Sequence, residues 1–251
     1  MIVVPSWIQR AVERGIVTSR YPDRAATADE VPATGRGPCP PHGSEGLRPG
    51  AGDCPVEAIS PDGVDQGRCI RCARCLPAGF AFSGPVEASV AVRAELISPT
   101  LVPAASRRES APLRPLGCSL HVFLVDVGSC NACNLEVMAL ANPYYDVSRL
   151  GVFFTNSPRH ADVLLVVGVP TPEMVEPLKR AFEAMPDPKA VVAVGACPIS
   201  GGAFAGTPGL AAGLSELIPV DRFVPGCPPP PVAVIDAIVA LGGRARAPEE
   251  G

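Results

Sequence analysis

HVFLVDVGSCNACNLE, residues 121–136, is the stretch on which the fold turns. It opens with a strand-sized apolar run, stops at Gly128, and leads at once into the pair Cys130-x2-Cys133. Further strand-like runs at 150–154, 162–169 and 190–195 alternate with helical patterns at 135–141, 173–184, 210–217 and 232–241. The runs at 162–169 and 190–195 are apolar almost throughout, as strands covered on both faces of a parallel sheet are. Pro172 suits the first turn of the second helix, and Pro177 is expected to kink it. The order strand, helix, strand, strand, helix, strand predicts an α/β fold: an open, doubly wound, mostly parallel sheet of the flavodoxin-like kind. Ligands of such sheets sit beyond the carboxyl ends of the strands.

Two more cysteines lie in loops of similar design, Cys197 in VGACP (194–198) and Cys227 in VPGCP (224–228). A glycine precedes each cysteine segment, at Gly128, Gly195 and Gly226, allowing backbone close to a bulky group and positive φ where a turn needs it. Pro198 after Cys197 and the run Pro228 to Pro231 after Cys227 stiffen both loops. Cys130, Cys133, Cys197 and Cys227 are thus expected to converge on one edge of the sheet. Single cysteines are commonly small buried hydrophobes, a reading that does not account for four in matched loops.

A second quartet lies upstream. In two-cluster ferredoxins each motif reads Cys-x2-Cys-x2-Cys-x3-Cys-Pro, and the fourth cysteine of one motif ligates the cluster held by the first three of the other. Here Cys69, Cys72 and Cys75 supply three ligands, but the motif's fourth position falls at Gly79. The pair Cys54-Pro55 looks like the end of the other motif, whose three earlier cysteines are missing. What remains is one full set, Cys54, Cys69, Cys72 and Cys75, and so one 4Fe-4S cluster where the two-cluster arrangement has two. A tetrahedral zinc site is the alternative, although zinc usually takes two separated Cys-x2-Cys pairs.

The chain has 251 residues, with 21 Lys and Arg against 25 Asp and Glu and a net charge of −4, so it lacks the basic footprint of a nucleic-acid binder. Ser200-Gly201-Gly202 has neither the Lys-Ser/Thr ending of a phosphate loop nor the spacing of a dinucleotide fingerprint, and no nucleotide is expected. Arg10, Glu13 and Arg14 interrupt any secretory pattern, which predicts a cytosolic chain whose close cysteines are metal ligands rather than bridges. No run approaches the ~20 apolar residues of a membrane span, so membrane attachment is expected through partners. Four segments are predicted: a helix (5–14) with extended lead-in over 1–35, a single-cluster ferredoxin-like domain over 36–85, a proline-rich linker over 86–117 that could also wrap a neighbouring surface, and the α/β domain over 118–251. No regular structure is expected between residues 15 and 53. His42 and His121 are given structural roles, and Cys39 and Cys118 are expected to be ordinary thiols. Arg159 and His160, just before the third strand, read either as groups that tune a cluster or as a surface pair.

CNACNLE, SPRHADVLLVVG, PDPKAVVAVGACPISGGAF and IPVDRFVPGCPPPP, in this order, resemble the small subunit of membrane-linked group 4 NiFe hydrogenases and its homologue in respiratory complex I. The resemblance covers about residues 118–242. It implies that Cys130, Cys133, Cys197 and Cys227 hold a proximal 4Fe-4S cluster, giving two 4Fe-4S clusters in all. Glu136 matches an acidic position near the family's catalytic interface, which implies a place on a proton path or beside the ligands; the plain reading is a carboxylate favoured by the helix dipole. Cys-x2-Cys, rather than the adjacent cysteines of the complex I subunit, favours the hydrogenase side. The lead-in GIVTSRYP (15–22) and the upstream quartet resemble the ferredoxin-type subunit of these complexes, as if two subunits were fused. The resemblance implies an electron-transfer subunit with a NiFe hydrogenase large-subunit-like partner that carries the nickel. Membrane subunits would hold the assembly at the inner face of the cell membrane. A complex I-like quinone oxidoreductase subunit and a zinc-stabilised interaction module are the alternatives.

Overall fold

The computed structural model describes residues 15, 18–23, 38–39, 54–60, 63–82, 89–98, 111–117 and 119–243. The helix expected at 5–14, His42 and Cys118 lie outside these residues. Ten short strands are seen among them. Five form the main sheet: β6 (Leu120–Asp126), β7 (Val152–Phe154), β8 (Val163–Val167), β9 (Ala190–Val194) and β10 (Arg222–Val224). They run in the order β10-β9-β8-β6-β7, and every pairing is parallel. The first strand in sequence therefore has its successors on both sides, the arrangement that defines a doubly wound sheet and opens a crevice at its carboxyl edge.

Helices α1 (Ala132–Ala139), α2 (Pro172–Ala184), α3 (Ala196–Ser200) and α4 (Pro231–Leu241) connect or follow these strands. Alternate strand residues feed two cores. On one face Val122, Leu165, Val192 and Val224 pack with Val137 of α1 and with α4. On the other, Leu164, Val166, Val191 and Phe223 pack with Leu178 of α2, Ile199 of α3 and Leu214. Every residue of α4 is buried, which suits a helix that is apolar nearly all round. Its one charged residue, Asp236, accepts hydrogen bonds from the Tyr21 hydroxyl at 3.3 Å and the Ser89 hydroxyl at 2.6 Å. Residues upstream of the α/β sheet thus wrap over it, since the Leu113 N–H also donates to the Leu241 carbonyl at 3.0 Å.

Three local expectations need correction. The helix expected at 210–217 is only a 3-10 turn, Leu214–Glu216. Gly209 takes φ +85°, and Gly213 is extended with space for no side chain, since a Cβ there would lie 2.7 Å from the Ile199 carbonyl oxygen. The first helix starts at Ala132 rather than 135, which draws Cys133 into its opening turn. Finally, β1 (Pro38–Cys39) pairs antiparallel with β4 (Ala81–Phe82) in a region expected to lack regular structure. Helix α2 continues past Pro177 to Ala184.

The upstream cysteines lie in loops beside a small three-stranded antiparallel sheet of β2 (Ile59–Ser60), β3 (Gly63–Asp65) and β5 (Ile97–Ser98). Among the described residues no helix is long and apolar enough to cross a membrane.

Candidate metal centre

The loop after β6 is held by one carboxylate. Asp126 Oδ1 accepts the N–H groups of Gly128 (2.9 Å) and Ser129 (2.8 Å), while Oδ2 accepts the Ser129 hydroxyl and the Asn134 amide, both at 2.6 Å. Sequence reasoning passed over Asp126, although an Asp two residues before Gly-Ser at a strand end is the signal of a side chain closing its own turn. Burial works to raise its carboxyl, but the bonds from Ser129, Gly128 and Asn134 outweigh this and hold it below the ordinary carboxylate range. A depressed folded-state pKa contributes stability above the unfolded value of about 3.9, and that stability is lost as pH falls through the folded value. Asp126→Ala should cost about 1 kcal/mol at pH 7 in urea unfolding, below the roughly 1.5–3 kcal/mol of bonds to a buried charge because the residue is exposed. The deficit should shrink towards zero as the pH drops below about 3.

Cys130 is exposed at the tip of this loop and Cys133 is buried in the first turn of α1. Cys197 lies in α3 after β9, and Cys227 follows β10, both half-buried. Since β8 separates β6 from β9, the first loop must cross its end. It does so because Gly168 has no side chain: a Cβ there would lie 2.6 Å from the Gly128 carbonyl carbon and the Ser129 nitrogen. Gly195 closes the gap on the other side. Its φ is +96°, and a Cβ would lie 2.7 Å from Cys133 Sγ. A Cβ on Gly202 would lie 3.0 Å from Cys197 Sγ.

The four thiols feel one another. Burial pushes the Cys133 thiol up to about 12, helped by Cys197, Cys227, Cys130 and Glu136. Burial likewise raises Cys197 to about 11, with Cys227 and Cys130 adding to it, and raises Cys227, with Cys130 adding and Arg71 opposing. Four thiolates here would be unstable alone and stable around cationic iron, so the donor set suits a metal cluster.

Cys54, Cys69, Cys72 and Cys75 line a common cavity with Val56, Val64 and other residues of the small sheet. Burial pushes Cys69 up to about 11; hydrogen bonding and charge from Arg71 oppose this, while Cys75 and Cys54 add to it. Cys75 is raised by burial, with Cys72 and Cys54 contributing. The Ala58 N–H donates to Cys54 Sγ at 3.3 Å, and the Arg71 N–H to Cys69 Sγ at 3.4 Å. The fold thus brings the four upstream thiols to one cavity and sets Cys133 beside the Gly195 turn that leads to Cys197. Among the described residues no three His, Cys, Asp or Glu side chains form a group able to hold a metal ion.

Glu136 is the fifth residue of α1, beyond its first turn, where the dipole reading is weakest. Burial raises its carboxyl. Arg159 and His160 are exposed on a 3-10 turn at the amino end of β8, the end of the sheet opposite the cysteine loops. His121 meets Asp162 through its N–H at 2.7 Å and its ring at 3.4 Å, and lies 5.8 Å from the Phe153 ring. These are strand-packing contacts.

A model of the family described as NADH ubiquinone oxidoreductase, 20 kDa subunit, matches residues 130–241, a span that holds the whole second quartet. A probable membrane-bound hydrogenase subunit of Pyrococcus furiosus is 48% identical over 143 residues, covering 54% of this chain and 86% of that protein. Formate hydrogenlyase subunit 7 of Escherichia coli is 41% identical over 131 residues, covering 52% of this chain and 51% of that one. Among solved structures, a chain of an archaeal membrane-bound sulfane sulfur reductase complex matches with 35% identity and a TM-score of 0.46, over 51% of this chain and 71% of that chain. With the family match spanning the loops of all four cysteines on a doubly wound sheet, and a relative 48% identical and covered over most of its length, the chain belongs to the family of the 20 kDa subunit of NADH ubiquinone oxidoreductase.

Proposed function

We propose that this chain is the electron-transfer subunit of a membrane-associated NiFe-hydrogenase-type complex. Cys130, Cys133, Cys197 and Cys227 hold a proximal 4Fe-4S cluster, and Cys54, Cys69, Cys72 and Cys75 hold a second, ferredoxin-like one. The observation that carries the reading is geometric: Cys54, Cys69, Cys72 and Cys75 line one cavity, and the glycine turns around Cys197 leave no room for a side chain beside the sulfurs of Cys133 and Cys197. Each bound cluster would supply one-electron exchange. The chain's own part is to space the sulfurs, exclude water with the apolar walls around Cys133 and Val64, and set the charge around both sites. Its relatives include a membrane-bound hydrogenase subunit and a formate hydrogenlyase subunit, which favours a partner of the NiFe large-subunit type and further membrane subunits. Four segments serve this role: a lead-in (1–35), a single-cluster domain (36–85), a linker (86–117) and the proximal domain (118–251).

Anaerobic purification with partner subunits should yield about eight iron and eight sulfide per chain. Stoichiometric zinc without visible cluster absorption overturns the proposal in favour of an interaction module. The family description also supports a quinone-reductase reading. Two Cys-x2-Cys pairs for nickel in the co-purifying large subunit favour the hydrogenase, and their absence favours the quinone reductase.

A further inference from the structure

The two quartets meet across a seam, and Arg71 reaches across it. The Ser200 hydroxyl of α3 donates to the Gly67 carbonyl at 2.9 Å, and Val90 pairs with Phe223 of β10. Gly67 sits so close to the α/β unit that a Cβ would lie 2.8 Å from Ile199. Within this seam Arg71 stands between Cys69 and Cys72, in the left-handed region at φ 54°, where non-glycine residues are uncommon. Its backbone N–H donates to Cys69 Sγ at 3.4 Å. Its side chain reaches the other way, with Nη2 donating at 3.1 Å to the carbonyl of Pro225, two residues before Cys227. Its charge acts on both Cys69 and Cys227.

We propose that Arg71 is a positioning residue shared by the two clusters, a fixed cation that raises the reduction potential of both and ties one ligand loop to the other. The inference rests on the two-cluster reading given above. Reduction adds one electron to a centre already bearing anionic thiolates, with no bond made or broken. A neighbouring positive charge therefore stabilises the reduced state more than the oxidised one. An arginine suits the place because it stays charged when desolvated, and its planar fork donates to a carbonyl while facing sulfur. Half-burial of Arg71 keeps salt from screening the effect.

The test uses the anaerobically purified complex with wild-type chain, Arg71→Gln and Arg71→Lys, titrated with dithionite as the one-electron reductant and followed by electron paramagnetic resonance. Iron and sulfide content of the wild type checks the cluster reading separately: fewer than two clusters there overturns that reading and this proposal together. With both clusters present, Arg71→Gln should lower both midpoint potentials, by about tenfold in each reduction equilibrium, or about 59 mV for one electron. Arg71→Lys should show less than half of each shift. Unchanged potentials in Arg71→Gln, or a shift confined to one cluster, overturns the shared role. If Arg71→Gln loses iron, Arg71→Met, which keeps the apolar stem, replaces it under the same criteria. Iron lost in both neutral variants but kept in Arg71→Lys supports the shared cation, and iron lost in all three overturns it.

Discussion

Gly195→Ala should cut the iron content from about eight to about four per chain while leaving all eight cysteines in place. The added methyl would lie 2.7 Å from Cys133 Sγ, on a backbone held at φ +96°. Ordinary contact between such atoms begins near 3.5 Å, so the sulfur must move by about 1 Å or the loop must unwind. Neither is easy, because the Gly195 N–H is bonded to the Val224 carbonyl at 2.8 Å and the Ala196 N–H to the Gly226 carbonyl at 2.8 Å. Gly209→Ala is the control. Its φ is also positive, at +85°, but nothing lies within 4 Å of the new Cβ, so it carries the backbone strain without the collision and should retain full iron. Eight iron in purified Gly195→Ala would show that the second quartet is not gathered as described.

The second large effect is selective loss on removing one ligand from each quartet. Cys133→Ala should lose about four iron and keep the ferredoxin-like signal, Cys69→Ala should do the reverse, and the double variant should hold almost none. The sets are separate because Cys69, Cys75, Cys133 and Cys197 are each raised chiefly by burial, and the thiols that add to this belong to the same quartet. Metal uptake must also displace protons from thiols pushed up to about 11 or 12, as at Cys69, Cys197 and Cys133. Reconstitution of the apoprotein should therefore quicken steeply with rising pH between about 7 and 9. Cys133→Ala that still holds eight iron would remove the basis for assigning that cysteine to a cluster.

Much of the α/β unit was legible because its signals are local. Val163–Val167 and Ala190–Val194 are uninterrupted apolar runs, and such runs have few homes other than the middle of a parallel sheet. The Cys-x2-Cys spacing and the glycines before the cysteines marked the ligand loops for the same reason. The pattern at 210–217 misled because its apolar spacing is helical, while Gly213 must stay extended against α3. Asp126 was missed as well: its carboxylate matters through four donors, which only the folded turn brings together.

Alone, the sequence determined the cysteine sets, the strand order in the chain and the ligand-bearing loops, since spacing and hydrophobic period act over a few residues. Tertiary structure decided what lies next to what. It set the upstream quartet against α3, tied Tyr21, Ser89 and Leu113 to α4, and brought the side chain of Arg71 to the loop of Cys227. Residues 154 positions apart, as Arg71 and Pro225 are, leave no periodic trace in a chain. Their meeting depends on the packing of whole elements, and that packing exists only once both cores have formed.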